Sequence, residues 1–587
     1  MFAKLWRLKA FANAHRWLLY FGIFCFLLAR LFEAAVPYFM MIGIDRINAG
    51  DADVMMPVLG ILGAVVARFV IVSTARYSVR LAGLRIAFDL RQQFFATLQT
   101  QGSTFFNRYG IGDMMTRAVA DIGLIQRLFS MGTILAVILI FASLVGFGAM
   151  LSLSPELTLL VLPPMPFVFG YAWYMSRELG VTSHAVQERM SQMSAQVQEN
   201  LAGIRTVQAM VQEDNEIARF GGTNQCYANA FYDQARINSL IAAVSPTLVA
   251  ICVITILGYG GSMVQRGDLT IGALVAFLTY VNMVVQPFRV AGFIVNLFQR
   301  AAVASARLFE VLDRGPEIVD APRADAPSRI AGHIVLTNLR ASYADGHGDH
   351  GPDVLRGIDL NIAAGETLAI MGRVGAGKTT LLRQLVRLSN PPRGAVTIDG
   401  TDALDYPLAQ LRAQIALVPQ EAFLFAATLR DNITYDDPER ALDAIWQAAD
   451  AADLRSTIES FPAALDTEVG ERGVTLSGGQ RQRTALARGL IRHAPVLLLD
   501  DCFSAVDTAT EEHILRELRA LRTGRTTILV SHRVSTARHA DRIAIIEDGQ
   551  IKELGSHETL LAAGGTYAEL ERVQREGEAG GDEAIPA

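Results

Sequence analysis

Apolar residues gather into six long stretches in the first half of the chain, at approximate limits 17–44, 54–78, 131–153, 156–175, 240–264 and 270–296. A helix crossing the hydrocarbon of a bilayer needs roughly 20 mainly apolar residues, so each stretch predicts a membrane span. Only the Ser152–Pro155 turn separates the third from the fourth, and only Gln265-Arg266-Gly267-Asp268 the fifth from the sixth. Polar segments of helical period follow the second span (about 79–130) and the fourth (about 176–239), and neither can sit in lipid. The pattern predicts short connections on one side of a membrane and long helical extensions on the other. After an acidic, Pro-rich linker (315–329), strands alternating with helices are predicted over 330–575, the pattern of an α/β domain. The expected plan is therefore an interfacial helix (1–16), an all-α membrane domain of six helices (17–314), the linker, the α/β domain and an acidic, disordered tail (576–587).

Charge orients this plan. Lys4, Arg7, Lys9 and Arg16 precede the first span without any acid, whereas the first short loop carries Asp45, Asp51 and Asp53 against Arg46. The positive-inside tendency puts the N-terminus in the cytoplasm. Arg80, Arg85, Arg91, Arg108, Arg117 and Arg127 in the 79–130 segment agree; the 176–239 segment, whose acids outnumber its five arginines, is weaker support. Six spans then return the α/β domain to the cytoplasm, and the 4–14 stretch is amphipathic enough to lie along the inner interface. The first apolar run lacks a small-residue cleavage site, so it reads as a span and not as a removable signal. With 587 residues the chain exceeds one core, and a net charge of -6 gives no support for a nucleic-acid partner. Cys25, Cys226, Cys252 and Cys502 are scattered, which suits a reducing compartment for the soluble part.

The α/β half carries the first strong chemical signal. Gly372-Arg373-Val374-Gly375-Ala376-Gly377-Lys378-Thr379 follows a predicted strand at Thr367–Met371 and opens a helix predicted at Thr380–Leu388. Glycines let backbone N–H groups converge on phosphate oxygens, and the helix start adds a favourable dipole. Lys378 reaches the terminal phosphates and the Thr379 hydroxyl binds Mg²⁺ in such a loop. The apolar run Val496–Leu499 ends in Asp500, which fits the carboxylate that holds Mg²⁺ in P-loop NTPases. ATP and Mg²⁺ are the expected cofactors.

Leu476-Ser477-Gly478-Gly479-Gln480, followed by Arg481-Gln482-Arg483, matches the signature of ATP-binding cassettes, and residues 330–575 resemble an ABC ATPase throughout. The resemblance implies a role for each of several residues: Tyr343 and residues 372–380, including Thr380, bind ATP; Gln420 is the Q-loop residue and joins the Mg²⁺ shell; Ser504-Ala505-Val506-Asp507 is the D-loop; and His532 is the switch histidine. A lone Tyr on a strand serves packing more often than adenine stacking, and a lone His is usually structural. Glu468–Gly473 resembles the exporter-type segment that meets a membrane domain, and the six-span half fits the same exporter family, of the type I (type IV) fold. In that family Ser477–Gln480 act on ATP held by the opposite cassette, so a second half transporter is implied. Family analogy also directs the cytoplasmic turns near Phe105–Met115 and Gln208–Phe220 to cassettes, the second mainly to the partner's.

One position departs from the family. The residue after the Mg²⁺-binding Asp is normally Glu, the presumed general base, and here it is Asp501. Its side chain is shorter by one C–C bond, about 1.5 Å. A base must approach its proton to about 2.6–3.2 Å, and a misplacement of 1 Å can cost about 10²-fold. The chain's own site is expected to bind ATP and hydrolyse it poorly, unless a rearranged water makes Asp501 a tolerated variant. Asp501 with Ser504–Asp507 resembles the degenerate-site half of bacterial heterodimeric multidrug-type exporters. The partner would supply the catalytic Glu and this chain the intact signature.

Charges inside spans are costly and are candidate functional groups. Arg30 and Glu33 share a helix face in the first span, Arg68 lies in the second and Arg289 near the end of the sixth. They either pair internally or line a cavity for an amphipathic drug-like, lipid or peptide substrate. His347, Asp349 and His350 read as a surface loop in place of a metal site, since no element holds them at ligand geometry. The readings kept open are a heterodimeric exporter in the bacterial inner membrane with both termini cytoplasmic, a homodimeric lipid or drug flippase with two Asp-type sites, and an ATP-gated channel on the same scaffold.

Overall fold

The computed structural model describes residues 2–51, 53–285, 291–320, 327–344, 350–470 and 473–581. The chain divides into two compact units, one of Met1–Gln99 with Ile111–Arg314, the other of Thr100–Gly110 with Gly315–Ala587.

The first unit is helical. Among the described residues three helices are long and apolar enough to cross a membrane: Arg16–Asn48, Met55–Gln99 and Ile111–Leu153. The 45-residue helix Met55–Gln99 is continuous. At 1.5 Å per residue it runs about 68 Å, more than twice a hydrocarbon thickness of about 30 Å, so the second span and its polar extension form one rod. The fourth expected span does not form one helix, because it divides at Leu162–Pro163 between Pro155–Val161 and Pro164–Ala202. The fifth lies across Glu213–Thr255, a π turn at Ile256–Gly260 and the helix Gly261–Arg266. The sixth includes Ile271–Val285; residues 286–290, with Arg289, lie outside the described residues, and Ala291–Leu312 follows them.

Small residues make the helices fit. Ala75, Val79, Ala82 and Ile86 form a buried face on Met55–Gln99, while Leu62, Val66, Phe69 and Val70 are exposed, as a lipid-facing side would be. Cys25, Phe26, Ala75, Val79 and Val137 pack into one cluster across three helices. At the base of the third helix an ion-pair lattice replaces apolar packing. Buried Arg117 contacts Asp113 at 2.9 Å and Glu310 at 3.1 Å, and Arg307 contacts Asp113 at 2.6 Å and Asp121 at 3.3 Å. Arg117 and Asp121 bound a π turn, whose wider winding re-aims side chains within a helix.

Asp45 caps a neighbouring helix. Its carboxylate accepts from the Thr270 hydroxyl at 2.7 Å and from Gly272 N–H at 2.8 Å, at the start of Ile271–Val285. Gly272 is required there, since a Cβ would lie 2.3 Å from the Met41 carbonyl oxygen. Loss of a helix cap costs about 1–2 kcal/mol. Asp45→Ala is therefore expected to lower the melting temperature of the detergent-purified protein by a few degrees, and Gly272→Ala by more; unchanged melting of both would refute this account.

The second unit holds two sheets. A four-stranded one has the order β2-β1-β4-β5, from β1 Ile334–Ala344, β2 His350–Ile362, β4 Val396–Ile398 and β5 Thr401–Asp402. The six-stranded sheet has the order β10-β9-β3-β8-β7-β6, from β3 Thr367–Met371, β6 Ile415–Val418, β7 Val496–Asp500, β8 Thr526–Val530, β9 Arg542–Glu547 and β10 Gln550–Gly555. Strands β9, β3, β8, β7 and β6 are parallel, and every residue of β7 and β8 is buried, as expected of strands covered on both faces. The last helix, Thr566–Gly581, extends past Glu576, and Tyr567 and Leu570 pack its start against the core.

Candidate functional site

In parallel α/β sheets ligands gather at the carboxyl ends of the strands. Three neighbouring strands end here in candidate residues: β3 in the Gly372–Thr379 loop, β8 just before His532, and β7 in Asp500 and Asp501. Gly372 (φ +149°) brings the loop so close to β9 that a Cβ would lie 2.1 Å from the Ile546 carbonyl oxygen. The loop then opens the helix Lys378–Leu385, two residues earlier than expected and shorter.

Lys378 is buried, and its ammonium donates to the carbonyls of Gly372 at 2.7 Å and Arg373 at 2.9 Å. Burial lowers its pKa, against the raising influence of Asp501 and Asp500. Burial raises the pKa of Asp500, and the hydrogen bond from the Thr379 hydroxyl, at 3.1 Å, opposes that rise. Gln420 donates to Asp501 at 3.4 Å. Asp501 itself has left-handed backbone (φ +46°), and its N–H donates to the Val530 carbonyl of β8 at 3.0 Å. Tyr343 stands on β1, 37% exposed, with its hydroxyl 2.9 Å from that of buried Thr380. Thus Tyr343, Lys378, Thr379, Thr380, Gln420, Asp500 and Asp501 are linked in one neighbourhood, around the loop that also contains Val374, Gly375, Ala376 and Gly377.

A hydroxyl, a carboxylate and an amide oxygen form an all-oxygen donor set suited to Mg²⁺. Charge agrees: one ammonium beside two carboxylates leaves the pocket short of positive charge for a polyphosphate, and a divalent cation would restore it. Thr379, Asp500 and Gln420 are the residues that would hold it. Among the described residues no group of three His, Cys, Asp or Glu side chains is placed to bind a metal. His347 and Asp349 lie outside the described residues.

The signature stands apart from this neighbourhood. Ser477 caps the helix Gly478–Leu490 in a reciprocal box: its hydroxyl accepts from Gln480 N–H at 3.3 Å, and the Gln480 side chain accepts from Ser477 N–H at 2.9 Å. Gln482 ties the same helix to the D-loop, donating to Ser504 at 2.8 Å and accepting from Ala505 N–H at 2.8 Å. Among the described residues Ser477–Gln480 make no hydrogen bond to residues 372–380. Asp507 caps Thr508–Leu521 by accepting from Thr510 N–H at 2.9 Å, which lowers its pKa.

Sequence reasoning missed the braces behind His532. Buried Glu511 pairs with Arg533 and Thr536, and Arg533 also donates to the Val506 carbonyl at 3.3 Å. Gln574 donates to the His532 carbonyl at 2.6 Å and accepts from Val534 N–H at 2.8 Å. No motif marks these residues; an acid on the apolar face of a predicted helix was the one available sign, at Glu511. Of Glu468–Gly473, Glu471 and Arg472 lie outside the described residues. In the first unit, Glu33 meets both Arg30 and Arg68, the latter at 3.2 Å.

A phosphate loop and an acid-tipped strand on a parallel sheet, joined in one chain to a helical membrane unit, define an ATP-driven membrane transporter. Residues 19–288 match the model of the ABC transporter transmembrane region, and 355–504 the model of the ABC transporter. The chain is 30% identical over 97% of its length to YknU of Bacillus subtilis (strain 168), an uncharacterized ABC transporter ATP-binding protein, and covers 97% of that relative. It is 34% identical to an ATP-dependent lipid A-core flippase of Syntrophus aciditrophicus (strain SB), over 84% of this chain and 81% of the relative. The fold is similar to that of a bacterial Atm1-family ABC exporter with ATP bound, with a TM-score of 0.76 and 26% identity over 95% of this chain and 98% of that one. The chain belongs to the ABC transporter family, as a half transporter with its membrane domain fused to its cassette.

Lys378 holds its ammonium within the loop itself. Lys378→Ala is expected to weaken binding of a fluorescent ATP analogue by at least about 10-fold, the loss of one charged hydrogen bond. Unchanged affinity in a folded variant would remove Lys378 from the site.

Proposed function

We propose that this chain is one half of a heterodimeric exporter that moves an amphipathic substrate out of the cytoplasm, with an ATP site of its own that hydrolyses weakly. The observation that carries the reading is the separation of Ser477–Gln480 from residues 372–380, with Asp501 where a longer acid would act. A signature bound to its own D-loop is available to nucleotide on a second cassette. The likeness to a lipid A-core flippase supports a lipid or similarly amphipathic substrate, and likeness to YknU supports a half-transporter partner.

In this reading Tyr343 receives adenine on its ring face, backbone N–H groups of 372–379 hold the phosphates and Lys378 neutralises the terminal ones. Mg²⁺, when bound by Thr379, Asp500 and Gln420, supplies charge neutralisation between the phosphates. His532 orients the terminal phosphate or the attacking water. Asp501 is the base available to that water, about 1.5 Å short, and it accepts a hydrogen bond from Gln420. Closure of two cassettes over ATP favours an outward-facing membrane domain, and hydrolysis at the partner's site reopens it. Termini and cassette lie in the cytoplasm, and the membrane is the bacterial inner one.

With a partner bearing the usual Glu, that Glu→Gln change is expected to lower steady-state ATPase by about 10²–10³-fold. Asp501→Asn in this chain is expected to change it little, while Ser477→Ala is expected to be damaging. Equal losses from Asp501→Asn and from the partner's Glu→Gln would contradict the asymmetry. Full ATPase and transport by this chain alone would replace the heterodimer with the homodimer.

A further inference from the structure

The first unit holds an excess of positive charge in its membrane helices. Among the described residues Glu33 is the carboxylate that pairs with both Arg30 and Arg68, and Arg76 follows Arg68 on the same helix. Arg30 is 8% exposed and lies on the packed face of its helix with Phe26 and Ala29. Arg68 stands one helical turn beyond buried Ala64 and two before buried Ala75, and its side chain is 42% exposed. The Nε–H groups of Arg30 and Arg68 are both buried without a hydrogen-bond partner. Arg76 is exposed, two turns further along the same helix, about 12 Å from Arg68 along the axis.

A structural ion pair needs one cation per acid. Arg30 and Arg68 share a single carboxylate, which leaves one guanidinium charge unmatched within a membrane helix pair, where it is expensive, and the two orphan donors add to that cost. An oxyanion answers both deficits at once, because a guanidinium presents parallel N–H groups to phosphate or carboxylate. A cationic amphiphile would find a single acid already held by two arginines.

We propose that Arg30, Arg68 and Arg76 form an anion-recognition element of the transport path, selecting amphiphiles with a phosphate or carboxylate headgroup; Glu33 positions Arg30 and Arg68. The inference rests on the reading of an amphipathic substrate and names its charge. On the expected orientation, Arg76 lies nearest the cytoplasmic end and meets the headgroup first.

The test is isothermal titration of the full-length protein, with its partner where one is required, in phosphatidylcholine nanodiscs without ATP. The probes are dodecyl phosphate, dodecyltrimethylammonium and inorganic phosphate, each below its aggregation concentration. Dodecyl phosphate is expected to bind at least about 10-fold tighter than the other two, with about 10-fold lost in Arg68→Gln and most of it restored in Arg68→Lys. Arg76→Gln, at an exposed position, is expected to lose part of the affinity and serves if Arg68→Gln fails to fold. Equal binding of the anionic and cationic amphiphiles would overturn the proposal, as would undiminished binding in both glutamine variants. Inorganic phosphate binding as tightly as dodecyl phosphate would assign the site to free anions and overturn the amphiphile. Because no ATP is present, these outcomes are independent of ATP-driven flux of a labelled amphiphile in vesicles, whose absence would instead sink the exporter reading.

Discussion

The ammonium of Lys378, buried under the loop that follows β3 and faced by Asp500 and Asp501, is the interaction on which the cassette turns. Burial disfavours the charge of both Lys378 and Asp500, and each makes the other tolerable. The parallel sheet fixes their spacing, since the two groups leave strands separated only by β8. Other candidate residues connect to this pair by short steps: Thr379 directly to Asp500, and Gln420 to Asp501. Tyr343 reaches it through Thr380, the neighbour of Thr379. The site is consequently one connected unit, centred on the opposed charges of Lys378 and Asp500.

Much of this was legible in the sequence because the chemistry is local. A glycine-rich loop between strand and helix declares itself in eight consecutive residues, and Val496–Asp500 in five. The membrane unit was legible where apolar length is uninterrupted, as in Arg16–Asn48 and Met55–Gln99, and less so where Pro163 or a π turn breaks the helix. The braces at Glu511, Arg533 and Gln574 were invisible for a different reason. Their partners lie 22 to 42 residues away, and nothing in an amphipathic helix distinguishes an acid that will be buried from one facing solvent.

Those braces bear on how one end of the cassette informs another. Gln482 joins the signature helix to the D-loop; Arg533, through Val506 and Glu511, joins the D-loop to the segment after β8; Gln574 holds both sides of that segment to the last helix. A buried carboxylate such as Glu511 fixes geometry because losing the Arg533 guanidinium leaves its charge unmatched. Signature, D-loop and His532 backbone therefore shift together or not at all. Such a rigid connection suits the dimer proposed above, in which signature and switch segment act on different nucleotides.

The arginines of the membrane unit obey the opposite logic. Around Glu511 the charges are matched internally, which leaves little for a ligand to add. Arg30 and Arg68 keep buried N–H groups unsatisfied, a standing cost to the folded membrane domain. Whatever binds the folded state and satisfies those donors lowers that cost, so stability lost without ligand returns as affinity with it. Transport adds a further constraint, because a site that matched its anion perfectly would not release it. Glu33, already engaged with both arginines, competes with an incoming oxyanion for the same N–H groups. A resident carboxylate that weakens binding without abolishing it gives the loaded site a way to empty when the helices rearrange.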